Sequence, residues 1–105
     1  MHQIHVYLPE SHLDIVKQAM FDAGAGRYKA YDSCCWQTSG EGQFRALDNA
    51  KPFIGEKNTL THEKEYRVEM VCEDRYLIDV IEALKKAHPY EEPAFAYYPI
   101  NLSLL

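Results

Sequence analysis

The chain has 105 residues, 47% hydrophobic and 26% charged, which is the composition of one globular domain and not of a disordered tail. Eleven Lys and Arg against sixteen Asp and Glu leave a net charge of −5, which argues against nucleic-acid binding through bulk positive charge. Three cysteines cannot close a disulfide framework, so a small secreted scaffold is set aside and one cytoplasmic domain over 1–105 is expected.

The start, Met1-His2-Gln3-Ile4-His5, has no basic and then apolar leader pattern. The uncharged stretch 93–105 is broken by Pro99, Asn101 and Ser103 and is too short to span a bilayer, so no membrane partner is expected. A compact chain of this length should have a radius of gyration of about 13 Å.

Gln3–Leu8 alternates, with Ile4, Val6 and Leu8 on one face and His5 and Tyr7 on the other, the pattern of a half-buried strand. Ser11 followed by Asp14 reads as a capping box for a helix. Leu13, Val16, Met20 and Ala23 give that helix its apolar stripe, and Gly24 and Gly26 supply positive φ values at its exit. Tyr31–Thr38 is expected to be a strand, with Ser39-Gly40-Glu41-Gly42 as a turn and Gln43–Leu47 as a short return strand. Asp48–Thr61 has no period and holds Pro52, Gly55 and Asn58, so it reads as a long loop of the kind that makes contacts. Lys64–Cys72 alternates again, with Tyr66, Val68, Met70 and Cys72 opposite Glu65, Arg67 and Glu69. Asp74 is placed to cap a second helix with a stripe of Leu77, Val80, Ile81, Leu84 and Ala87, which should stop near His88-Pro89. Ala94–Ile100 is the last expected strand.

The order is β-α-β-(β)-β-α-β. It predicts an α+β, ferredoxin-like βαββαβ sandwich with an extra short hairpin strand and two helices on one face of an antiparallel sheet. Right-handed crossovers would put both helices on the same side and leave the face with His5, Tyr7, Glu65, Arg67 and Glu69 open.

Two segments carry a family resemblance. One runs Ala23-Gly24-Ala25-Gly26-Arg27-Tyr28-Lys29-Ala30-Tyr31-Asp32-Ser33-Cys34 and continues through Gly40–Phe44 and Asn49–Gly55; the other is Ala87-His88-Pro89-Tyr90-Glu91-Glu92-Pro93-Ala94. Together they resemble the inserted domain of the NGG-interacting-factor, or YqfO-type, dinuclear-metal family, an insert similar to PII and CutA proteins. The resemblance implies a stand-alone PII/CutA-like domain that packs as a homotrimer. The family's metal ligands lie in flanking lobes outside this match, so it implies neither the dinuclear centre nor the proposed hydrolase activity. Lys29 stands where the family often has glycine.

His88-Pro89-Tyr90-Glu91-Glu92-Pro93 is the densest polar cluster. His88, Glu91 and Glu92 are candidate divalent-metal ligands, while a helix-to-strand turn accounts for the same residues without a ligand. Cys34 and Cys35 are further candidates, but they lack Cys-x-x-Cys spacing and on a strand would face opposite ways, one toward the core. His2 and His5 likewise diverge on a strand. Gly24-x-Gly26 and Gly40-x-Gly42 fit neither a P-loop nor a dinucleotide fingerprint. No cofactor is expected and no catalytic residues are assigned. The eight tyrosines, the 97–100 segment and the Leu102, Leu104 and Leu105 tail read as sheet and subunit contact.

The sequence thus favours a non-enzymatic oligomeric module with a scaffold or regulatory role, contacting an unknown small ligand or protein through the 48–61 loop and subunit clefts. A CutA-type module binding a divalent metal is the alternative, and a small hydrolase stands third.

Overall fold

The computed structural model describes residues 1–102. Its elements are β1 (His2–Pro9), α1 (Leu13–Ala23), β2 (Trp36–Arg45), β3 (Leu60–Cys72), α2 (Leu77–Ala87) and β4 (Phe95–Pro99), with 3₁₀ turns at Glu10–His12 and Asp74–Tyr76. The sheet order is β2-β3-β1-β4 and every neighbouring pair is antiparallel. This is the expected ferredoxin-like split βαβ arrangement, with β3 between β1 and β2 and with β1 between β3 and β4.

Alternation in the sequence becomes burial in the sheet. Ile4, Val6 and Leu8 of β1 and Val68, Met70 and Cys72 of β3 meet Leu13, Val16 and Met20 of α1 and Val80 and Leu84 of α2 in one core. Each fully buried side chain of this size stabilises by roughly 1.5–3 kcal/mol. Among the described residues, no helix lies over the other sheet face.

Both helix starts depart from expectation. Ser11 does not cap α1, because the chain first makes the Glu10–His12 turn and the Ser11 hydroxyl pairs with His12 Nδ1 at 2.8 Å. Asp74 opens a 3₁₀ turn and makes no cap; its Oδ1 accepts from His2 Nδ1 at 2.7 Å. At the exit of α1, Gly24 (φ 123°) and Gly26 (φ 74°) take the expected positive values. A Cβ on Gly24 would also fall into the Tyr76 ring. Lys29 has φ 51° in the tight turn closed by paired Tyr28 and Tyr31 backbone bonds, which explains why glycine suits that position.

The largest correction concerns residues 31–47. Residues 32–35 are irregular, so Cys34 and Cys35 lie before the strand, not on it. The turn expected at Ser39-Gly40-Glu41-Gly42 and the return strand after it do not form. Residues 36–45 make one ten-residue strand, β2. Its side chains are mostly exposed, so hydrophobic alternation had nothing to record. Gly42 serves packing and not a turn: a Cβ there would collide with the Glu65 carboxylate.

β3 outruns its inner partner. β1 pairs with Glu65–Cys72, while Leu60–Lys64 pair only with Glu41–Arg45 of β2. The excess is a two-stranded ribbon projecting past the end of β1. It accounts for a radius of gyration of 14.8 Å and extents of 49 × 23 × 22 Å, larger than a compact chain would show. The 48–61 segment is irregular up to Leu60, as expected. Leu102 is exposed, and Leu104 and Leu105 lie outside the described residues.

Candidate functional site

The open sheet face carries an ordered polar layer. Arg67 donates to the Tyr7 hydroxyl at 2.8 Å and to Glu69 Oε1 at 3.0 and 3.2 Å. His5 packs edge-on against Tyr7, and its buried Nδ1 has no protein partner among the described residues. Burial, and then the nearby Arg67 charge, lower the His5 pKa against the opposing pull of Glu69. Beside this layer is a basin of about 340 Å³ bordered by Tyr7, Gly42, Glu65, Arg67 and Glu69.

A second cavity, of about 300 Å³, lies at the base of the ribbon. Phe44 and Glu65 form its floor, Phe53 and Ile54 come from the long loop, and Tyr90 and Glu92 come from the turn before β4. Tyr90 donates its hydroxyl to Glu65 Oε2 at 2.9 Å, which fixes the ring. Burial and the adjacent Glu65 charge push the Tyr90 pKa up, so the phenol stays protonated. Phe53 stacks edge-on with His12 at 5.6 Å and lies 6.4 Å from Tyr90. Glu91 Oε2 accepts the Lys51 backbone N–H at 2.6 Å, tying the loop to the turn. Glu65 borders both cavities.

His88 holds this turn in place. Its Nε2 lies 2.8 Å from the Tyr7 carbonyl, which can only accept, so Nε2 carries the proton. Nδ1 accepts the Tyr90 N–H at 3.1 Å. The imidazole thus satisfies the edge of β1 where its pairing with β4 has ended, next to the Tyr7 N–H bond to Ala94. Burial lowers the His88 pKa, an effect partly opposed by the Tyr7 bond and reinforced by His12. A second proton on Nδ1 would face the Tyr90 N–H, so the geometry selects the neutral ring.

The sequence-expected ligands occupy separate places. His88 is engaged at both nitrogens, Glu91 binds the loop, and Glu92 lines the cavity. Cys34 Sγ lies 3.5 Å from the Asp32 carbonyl, and Cys35 packs against the core. Among the described residues, no group of three or more His, Cys, Asp or Glu is placed to hold a metal ion. Sequence reading missed Phe44, Phe53, Ile54 and Glu65 as cavity residues, although the aperiodic loop marked the region.

No protein-family model matches the chain. Over 95 residues it is 42% identical to the GTP cyclohydrolase 1 type 2 homolog of Mycobacterium tuberculosis, covering 90% of this chain and 25% of that protein. The Bacillus subtilis homolog is 40% identical over 99 residues, covering 94% and 26%. The Bacillus cereus protein related to NIF3 superposes with a TM-score of 0.83 at 31% identity, over 96% of this chain and 26% of that one. The chain resembles one segment of the NIF3-related proteins. It spans about a quarter of the length of the curated relatives it matches. The periplasmic divalent cation tolerance protein CutA of Archaeoglobus fulgidus shares the fold, with a TM-score of 0.69 at 16% identity over 99% of this chain and 88% of CutA. The NIF3-type segment thus has a CutA-type fold. The cyclohydrolase designation belongs to relatives of which this chain matches only a part. No helix among the described residues is long and apolar enough to cross a membrane.

Proposed function

We propose that this NIF3-type segment forms a non-enzymatic PII/CutA-like module that assembles with copies of itself as a trimer in the cytoplasm and acts as a scaffold or regulator. The observation that carries this reading is the uncovered sheet face. His5, Tyr7, Arg67 and Glu69 form a half-buried aromatic and charged layer there, and a buried His5 nitrogen has no protein partner among the described residues. The sheet also has two free edges, β2 and β4, on opposite sides. A head-to-tail contact between such edges repeats from copy to copy and closes into a three-membered ring when each contact turns the next copy by a third of a circle. Outward contacts run through residues 48–61 and the clefts between subunits. Three free thiols suit a reducing compartment. The non-enzymatic reading is supported by the engagement of His88 at both nitrogens.

Sedimentation velocity at low micromolar concentration tests the assembly. A species about three times the monomer mass is expected, and Arg67→Glu, which sets a negative charge beside Glu69, should shift it toward monomer. A wild-type monomer overturns the reading. The alternative, a divalent-metal module using His88, Glu91 and Glu92 with Cys34 or Cys35 of a neighbouring copy, requires His88 Nδ1 to release the Tyr90 N–H. Calorimetric titration with zinc, repeated on His88→Gln, decides between them.

A further inference from the structure

We propose that the cavity at the base of the ribbon binds a small organic cation, a protonated amine carried on an aromatic or aliphatic body. The proposal rests on reading the 48–61 loop as the module's contact segment and names what that segment receives.

The walls set the body of the ligand. Phe44, Phe53, Ile54 and Tyr90 supply apolar and aromatic surface around about 300 Å³, a volume suited to a small molecule. The charge lining sets its sign. Glu65, Glu91 and Glu92 border the cavity, and no Lys, Arg or His is among its lining residues. One oxygen of Glu65 accepts the Tyr90 hydroxyl and one oxygen of Glu91 accepts the Lys51 N–H. The second oxygen of each carboxylate has no protein donor among the described residues. These bonds also hold Tyr90 and the loop in position before any ligand arrives, which lowers the ordering cost of binding. An ammonium seated beside the Phe53 and Tyr90 rings, which line the cavity as a tilted pair, gains attraction from the aromatic surface and from the carboxylates, whereas an anion meets uncompensated negative charge. The cavity lies between elements of a single chain, so the site is complete without a second copy.

The test is calorimetric titration of the full chain with phenethylamine at neutral pH and low salt, with 2-phenylethanol as the uncharged match in shape. Saturable binding of the amine is expected, with the alcohol weaker by about tenfold. Phe53→Ala and Glu91→Gln should each weaken the amine severalfold. Phe53 is 52% exposed on a loop, and the amide oxygen that Glu91→Gln introduces still accepts the Lys51 N–H, so both variants should keep the wild-type circular dichroism spectrum. Equal binding of amine and alcohol, no saturation, or unchanged affinity in both variants overturns the proposal. Binding of a lysine-containing peptide but not of phenethylamine overturns the assignment to a small molecule. Sedimentation of the same samples keeps the two readings apart. A monomer that binds the amine sinks only the assembly, and a trimer that ignores it sinks only the ligand.

Discussion

His88 gives the sharpest test of the fold's internal electrostatics. Its ring is buried and neutral, donating from Nε2 to Tyr7 and accepting at Nδ1 from Tyr90. In the unfolded chain a histidine takes up its second proton near pH 6.5, whereas in the folded chain burial holds that event lower. The folded state therefore binds fewer protons between the two values. Stability is fully present above about pH 6.5 and is lost as pH falls from there toward the folded value, by at most ~1.4 kcal/mol per pH unit for one ring. His5 contributes in the same direction. His88→Gln keeps an amide donor for the Tyr7 carbonyl but cannot titrate. At neutral pH it should cost about 1–2 kcal/mol, because the two bonds are reproduced imperfectly in a buried site. That penalty should shrink by up to ~1.4 kcal/mol by about pH 5.5, since only the wild type must still keep a titratable ring neutral. Urea unfolding at a fixed protein concentration, at several pH values, reads both curves. Parallel curves for wild type and variant would refute the buried neutral imidazole.

Other expectations follow from local geometry. Lys29→Gly should stabilise by up to about 1 kcal/mol in urea unfolding, because it relieves a positive φ at 51° and gives back part of that gain as unfolded-chain entropy. Gly24→Ala combines φ 123° with a collision against the Tyr76 ring and should cost roughly 2 kcal/mol or more. Gly42→Ala meets only the flexible end of Glu65, so it should cost under about 1 kcal/mol while weakening the Tyr90–Glu65 bond, which near-ultraviolet tyrosine signals would report. Cys72 is buried, and desolvation, with Glu73 and Asp74 adding to it, pushes its pKa up to about 11. An aromatic disulfide reagent should label Cys34 and Cys35 in the native protein and reach Cys72 only on unfolding; labelling of all three at one rate would contradict the core placement.

The central sheet and both helices are legible in the sequence because each has one wet side and one dry side. Ile4, Val6 and Leu8, then Val68, Met70 and Cys72, record burial with period two, and Val80 and Leu84 record it at helical spacing. β2 escaped for the opposite reason. It borders the ribbon with solvent on most sides, and Gly40 and Gly42 resemble turn chemistry although one lies in open space and the other makes room for a carboxylate. The helix starts are not legible at this level because Ser11 and Asp74 serve 3₁₀ turns, a one-turn difference finer than periodicity can distinguish. The cavity depends on contacts between residues far apart in the chain, such as Lys51 with Glu91 and Glu65 with Tyr90. No local pattern encodes such pairs; they exist only once the sheet has formed.

The uninterrupted thirteen-residue β3 has a mechanical meaning. Tension applied at the free end of the ribbon along β3 travels in one covalent line to the centre of the sheet, where eight register pairs with β1 bear it together as shear. A pull at right angles to the strands that peels β2 from β3 instead opens their ladder one pair at a time, like a zipper. The same ribbon is therefore stiff under load along its strands and yielding under load across them, and the direction in which a neighbouring molecule pulls decides whether force reaches the core.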